Sequence, residues 1–294
     1  MSPNDKAHGS ELSQEEFEFI RKMVYDNIGV NLTQSKKALV VSRLKKRLRE
    51  LNFTSFKDYL SYLEKAENEL DIVFNLITTN VTKFFREPHH FKYLYYNYFD
   101  YLQELRQQGK ISNTIRAWSS GCSTGEEPYT LGMFLHYYFL NNRRDWKVKI
   151  LASDINLEVL AKAKKGVYTK DEVAGLPSPL LKRYFKLGTG PNKGILKVKD
   201  EVKNLITFKR INLVGEEEYP IKEPFHIIFC RNVFIYFDKE TQNRILKNFD
   251  KHLVPGGLLC LGHSESINTR EPGNENWHLI KHTIYQKDPG NEYE

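Results

Sequence analysis

The chain of 294 residues is 40% hydrophobic and 13% aromatic, which suits a folded protein with a sizeable core and two domains and excludes a disordered one. Its apolar runs fall short of the ~20 residues of a membrane span, and the opening MSPNDKAHGSE has no apolar signal core; the expectation is a cytoplasmic protein without membrane insertion. Cys122, Cys230 and Cys260 lie far apart without C-x-x-C spacing, so they read as buried free thiols rather than a disulfide framework or a zinc site.

Residues 12–83 read as helices throughout. In LSQEEFEFIRKMVYDNIGV, Ser13 and Glu16 have capping-box spacing, and Phe17, Ile20, Met23 and Val24 keep one apolar face. The next helix carries KKALVVSRLKKRLR, Lys36 to Arg49, with seven Lys or Arg and no acid. The expected inner face is Val41, Leu44, Leu48 and Leu51, which leaves Arg43, Lys46 and Arg47 on a positive side facing solvent or a partner. A formal charge of +7 suits an acidic partner, without choosing its kind. Phe53 to Leu63 and Glu67 to Thr79 supply two further short helices, and the Tyr- and Phe-rich Glu87 to Gln108 reads as a connecting helix.

Past residue 112 short apolar strands alternate with helices: Ile115 to Ser119, Val148 to Ala152, Ile206 to Ile211, His226 to Cys230, Gly257 to Leu261 and Thr283 to Gln286. Alternation of this kind predicts a parallel sheet with helices on both faces. Between Gly166 and Leu205 the pattern breaks into short antiparallel strands around the Gly-rich hairpin KLGTGPNKGIL, read as an inserted subdomain.

In open parallel sheets ligands bind beyond the carboxyl ends of the strands. After the first strand stands GCSTGEEPYT, whose Gly121 and Gly125 allow close backbone approach but do not make the G-x-G-x-x-G of a dinucleotide binder. Thr124 and Glu127 have S/T-x-x-E spacing, which assigns Glu127 to a capping box and leaves Glu126 to face the ligand. An acid there repels phosphate and welcomes a cation. Asp154, one step beyond the second strand, is placed to accept both hydroxyls of a ribose. S-adenosylmethionine, an adenosyl cation without phosphate, fits this turn. His89, His90 and His263 have no third ligand at useful spacing, so no metal site is expected.

Five blocks in order then resemble one family: NVTKFFREPHHF, GCSTGEEPYT, ASDINLEVL, RYF followed by INL, and FHIIFCRNVFIYFDKETQ, with PGGLLCLGHSE behind them. Nearly end to end, the chain resembles the CheR family, the chemotaxis receptor glutamate methyltransferases. The resemblance implies an α/β, Rossmann-like methyltransferase domain over residues 111–288 with a small antiparallel β insert near 167–205, preceded by an all-α receptor-contacting domain over 12–84 and a linker helix over 85–110. It implies cofactor contacts from Asn80, Thr82, Arg86, Glu126, Asp154, Asn212, Leu213, Arg231 and Asn232. It further implies that Tyr236 lies near the transferring methyl and, with Arg86, orients the substrate carboxylate.

As partners the resemblance implies acidic chemoreceptor helices, met by the arginine-bearing helix with Arg43, Lys46 and Arg47. In some members the insert clasps a peptide at the receptor's carboxyl terminus, and the hairpin glycines here are compatible with that. The expected protein is a monomer. A nucleic-acid methyltransferase is the competing enzyme, but the chain has no [DN]-P-P-[YFW] stretch and no Pro-Cys nucleophile. A noncatalytic adaptor would be favoured by missing motif residues, and none is missing.

Overall fold

The computed structural model describes residues 11–141, 145–215 and 218–290. The chain divides after Thr79 into two units, the first of which also takes the segment Tyr236–Thr241.

The first unit is helical: α1 (Gln14–Ile28), α2 (Lys37–Glu50), α3 (Phe56–Leu63) and α4 (Glu67–Ile77). The capping box at the start of α1 forms as expected, with Ser13 Oγ accepting from Glu16 N–H and the Glu16 carboxylate accepting from Ser13 N–H. Phe17, Ile20, Val24 and Ile28 bury one face of α1, while Met23 is half-buried at its edge.

In α2 the buried row is Val40, Leu44 and Leu48, four residues apart, and Val41 lies half-buried beside it. Arg43 and Arg47 follow Val40 and Leu44 by three residues, so both fall on the flank of the core and not on an outward positive side. Arg43 donates to the carbonyls of Leu76, Ile77 and Thr78, the unpaired end of α4. Arg47 makes a two-pronged ion pair with the buried Glu69, at 2.8 Å on each prong, and the Tyr59 hydroxyl donates to the same carboxylate. Of the three cations expected to face a partner, only Lys46 is exposed.

The second unit is built on a seven-stranded sheet. Its strands are β1 (Thr114–Ser120), β2 (Lys147–Asp154), β6 (Ile206–Arg210), β7 (Phe225–Cys230), β8 (Leu253–Leu261), β9 (Trp277–Lys281) and β10 (Ile284–Lys287). The spatial order β6-β2-β1-β7-β8-β10-β9 is parallel through β8, after which β10 and β9 pair antiparallel. The sheet is therefore mixed rather than wholly parallel. Strand β9 escaped the sequence reading because, as an edge strand with Trp277 buried and the next four residues exposed, it lacks an apolar run.

The helix expected as a connector instead belongs to this core. It runs as α5 (Pro88–Tyr93), a π-helical turn (Leu94–Tyr98) and α6 (Phe99–Gln107), and its Phe91, Leu94, Tyr98, Phe99 and Leu102 pack with Ile115, Ile227 and Leu258 of the sheet. The Tyr98 hydroxyl donates to the carbonyls of His226 and Gly256 at 2.9 and 3.2 Å, which fixes the helix's register on the sheet. The aromatic content there serves packing.

The insert forms a second sheet in the order β3 (Val167–Thr169), β5 (Ile195–Val198), β4 (Phe185–Leu187), both pairs antiparallel. Tyr168, Phe185, Leu196 and Val198 turn inward onto Phe84, Tyr129 and Met133. Gly188 in the hairpin is obligatory, since a Cβ there would stand 2.1 Å from the Asn192 carbonyl oxygen. Cys122, Cys230 and Cys260 are free, buried thiols, as expected.

Candidate active site

Four adjacent parallel strands, β6, β2, β1 and β7, bring their carboxyl ends to one edge of the sheet, and most of the expected site residues follow those ends. After β1 the chain turns through Gly121 and Gly125, both at φ +100°, into α7 (Glu126–Leu135). A Cβ at Gly121 would stand 2.5 Å from the Val233 side chain, and one at Gly125 would stand 2.8 Å from the Tyr168 hydroxyl. Glycine is dictated at both by handedness and space.

The capping box expected of Thr124 and Glu127 does not form. Gly125, left-handed, is the residue before the helix, and no side chain caps it. Glu127 stands at the second helical position, one short of the third that a capping box needs; its carboxylate turns down to the sheet, accepting from Ser119 Oγ at 2.6 Å and Arg231 Nε at 2.7 Å. Thr124 Oγ donates instead to Glu126 at 2.6 Å. Glu126 is only 3% exposed, and burial raises its carboxyl above the usual range against the lowering effect of the Thr124 hydroxyl.

Asp154 is the last residue of β2, not one step past it. Its two oxygens accept from Ser123 N–H at 2.9 Å and Asn156 N–H at 3.0 Å. Burial raises its carboxyl, and those N–H groups pull the other way. The Ile155 N–H adds to these, so the carboxylate is held from the backbone while part of its acceptor capacity of about four lone-pair positions is left over. Ser123 is a residue the sequence reading missed: its hydroxyl donates to the Asn80 carbonyl at 2.8 Å, so one residue ties the Asn80 loop to Asp154.

Asn212 and Leu213 follow β6, next to Asp154, whose carbonyl accepts from Ile211. The Asn212 side chain accepts from Val214 N–H, and the Leu213 carbonyl accepts from the Tyr219 hydroxyl at 2.9 Å. Thr82 is half-buried in the same loop as Asn80, and Arg86 folds back to donate to the Val81 carbonyl. Tyr236 ends a 3-10 turn, and its carbonyl accepts from Asn31 N–H within the helical unit, to which the contacts of its segment assign it.

Arg231 is 6% exposed, and its Nε and Nη1 donors are engaged inside the protein. Besides Glu127 it donates to the Arg86 carbonyl at 2.6 Å and to His90 Nδ1 at 3.2 Å, and it lies across the rings of Phe91 and Phe229. His90 is fully buried; burial first, then the nearby Arg231 charge, push its imidazole down to about 2, so it is neutral and accepts that bond. Glu87 completes the group, with one oxygen accepting from His263 N–H and the other 3.8 Å from Arg231.

A buried acid was missed as well. Glu265 accepts from the N–H groups of Asn232, Ile235 and Gly262 at 2.8, 3.2 and 2.6 Å, joining the loops after β7 and β8. Burial raises its carboxyl, opposed by these N–H groups. It holds Asn232 at φ 61°, with the Asn232 amide oxygen buried and unpaired in the protein. Among the described residues, four of the six non-glycine residues with positive φ, Phe85, Glu87, Ser123 and Asn232, belong to these loops. Backbone strain is concentrated where ligands are gripped.

Two family models cover the chain: the CheR methyltransferase all-alpha domain over residues 15–78 and the CheR methyltransferase SAM binding domain over residues 80–283. The chain belongs to the CheR methyltransferase family. It is 42% identical to a chemotaxis protein methyltransferase of Escherichia coli over 88% of this chain and 87% of that protein. The corresponding protein of Borreliella burgdorferi is 38% identical over 94% and 95%, and chemotaxis protein methyltransferase 2 of Pseudomonas aeruginosa is 42% identical over 87% and 88%.

As a CheR methyltransferase the chain binds S-adenosylmethionine, and the residues fit that cation: the buried acid Glu126 and the half-buried Asp154, a glycine turn that admits backbone contact, and an asparagine oxygen awaiting a donor. Because burial raises the Glu126 carboxyl, while a bound cation favours its ionised form, cofactor affinity is expected to rise with pH through the raised carboxyl range and then level off. Calorimetric titration across acidic pH checks this. The same titration of Glu126→Gln should lose that part of the slope.

Proposed function

We propose that this CheR methyltransferase transfers the methyl group of S-adenosylmethionine to glutamate side-chain carboxylates of chemoreceptors, forming glutamyl methyl esters. Bound, the cofactor supplies an electrophilic methyl group on a positively charged sulfur. The acceptor carboxylate, with an ordinary pKa near 4.3, is already ionised at pH 7 and needs no base. The observation that carries the reading is the site's economy in bases: His90 is buried, neutral and engaged by Arg231, and the acids Glu126, Asp154 and Glu265 are each held by hydroxyl or backbone donors. What remains for the protein is alignment and exclusion of water.

Asn80, Thr82, Arg86, Glu126, Asp154, Asn212, Leu213 and Asn232 are assigned to the cofactor. Arg231 is assigned to anchoring the Arg86 loop through Nε and Nη1, beside its expected place at the cofactor. Asp154→Ala removes a charge-assisted pair of hydrogen bonds and should weaken S-adenosylhomocysteine binding by roughly 1.5 to 3 kcal/mol. Unchanged affinity would return Asp154 to the role of a loop acid.

Arg86 and Tyr236 are assigned to orienting the acceptor carboxylate. Tyr236→Phe is then expected to lower kcat tenfold or more, on the order of one lost transition-state hydrogen bond, with little change in KM for the cofactor. A wild-type kcat would remove Tyr236 from the chemistry. Receptor contact is assigned to α2 through the exposed Lys46, with Arg43 and Arg47 shaping the helix that presents it. The enzyme acts as a cytoplasmic monomer, and a receptor C-terminal peptide at the insert is the proposed second contact. Transfer of labelled methyl to receptor fragments but not to RNA supports this function; label on RNA alone would replace it with the nucleic-acid reading.

A further inference from the structure

The positive charge of the chain is unevenly placed. Residues 162–210 hold thirteen Lys or Arg and four Asp or Glu, leaving 31 basic and 33 acidic residues for the rest of the chain. The net charge of +7 therefore resides in the three-stranded insert and its flanking helices, while the remainder is slightly acidic.

The insert's sheet is two-faced. Its inner side, Tyr168, Phe185, Leu196 and Val198, is buried. On the outer side the register sets Lys186 on β4 directly opposite Lys197 on β5, both exposed. Like charges directly opposite one another destabilise a pair of strands, so this arrangement carries a cost with no return inside the fold. Asp200 lies 3.5 Å from Lys186, itself exposed, and cancels little. In the segments that flank the three strands, Lys164, Lys165, Lys170, Lys182 and Lys193 are exposed as well. The field reaches inward: burial first, then the Lys197 charge, hold the Lys203 ammonium below its usual range.

We propose that the outer face of the insert is a docking surface for an anionic phospholipid bilayer. Eleven of the thirteen cations between residues 162 and 210 are Lys. Lysine is a hydrated point charge suited to a diffuse anionic surface, whereas arginine's planar fork is what specific carboxylate or phosphate pairing selects. The aromatic residues Tyr168, Tyr184 and Phe185 are buried, so this face offers no stacking platform for bases. The binding is peripheral, additive over many lysines and screened by salt.

The test is sedimentation of the full chain with vesicles of phosphatidylglycerol and phosphatidylcholine, against vesicles of phosphatidylcholine alone. Wild-type protein should partition onto the anionic vesicles and not the neutral ones, less so as salt rises. Lys186→Gln with Lys197→Gln should lower that partitioning roughly thirty-fold without lowering Tm, which should hold or rise as the repulsion is relieved, and with S-adenosylhomocysteine affinity unchanged. Lys45→Gln with Lys46→Gln removes equal charge from α2 and should have little effect. Equal partitioning onto the two vesicle types, or equal losses in the two double variants, overturns the proposal. It is also overturned if duplex DNA or polyglutamate binds through Lys186 and Lys197 while anionic vesicles do not.

Discussion

Arg231→Ala is expected to lower the unfolding free energy by about 3 to 5 kcal/mol, read from urea denaturation, because it strands buried acids without their counter-charge. Glu127 loses the 2.7 Å contact to Nε, the near oxygen of Glu87 has no hydrogen-bond partner of its own, and the Arg86 carbonyl and His90 lose their donor. Arg231→Ala combined with Glu127→Ala should cost clearly less than the two single changes added together, since the double variant leaves fewer orphaned charges. A cost below about 1 kcal/mol for Arg231→Ala would mean that solvent reaches the cluster. The loss extends to function, as Arg231 holds the backbone of Arg86 between the strained residues Phe85 and Glu87.

Arg47→Ala should cost the helical unit about 3 kcal/mol or more for the same reason. Glu69 is 3% exposed; burial alone would raise its carboxyl, yet the hydrogen bonds from Arg47 and Tyr59 outweigh burial and hold it below the usual range. The depressed carboxyl contributes stability that is present above the unfolded value near 4.3 and is lost as pH falls through the lower folded value. In Arg47→Ala burial has the upper hand and the sign reverses, so stability should fall as pH rises through the carboxylate range. Urea midpoints between pH 3 and 7 check both signs. A variant that keeps the wild-type pH slope would show that Arg47 does not set the Glu69 carboxyl. Lys46→Ala, which touches no such pair, is the clean probe of receptor contact.

The strands, the glycine turn and the order of elements were legible because apolar runs and turn residues act locally. The carboxyl ends of β1, β2, β6 and β7 could be listed from sequence, and Asp154 falls within one residue of its expected place. What the sequence hid is pairing across distance. Glu127 and Arg231 are 104 residues apart, and nothing local distinguishes a helix-capping acid from one that turns under the sheet. Glu265 sits in GHSES, an ordinary polar turn until its three N–H donors from two loops are seen. The basic helix misled for a related reason: a row of cations three residues from an apolar row reads as solvated, but long arginines on that flank reach a helix end and a buried acid. The left-handed Gly125 shifted the helix start by one residue, enough to replace the expected cap with another bond.

The bond formed on the receptor is identified most directly by its stability in alkali. Receptor cytoplasmic fragments are incubated with the protein and methyl-labelled S-adenosylmethionine, then exposed to mild alkali. The label should leave as volatile methanol, and peptide mapping before the alkali step should place it on glutamate side chains, as a carboxylate ester requires. Label that survives alkali, on nitrogen or on nucleic acid, would contradict it.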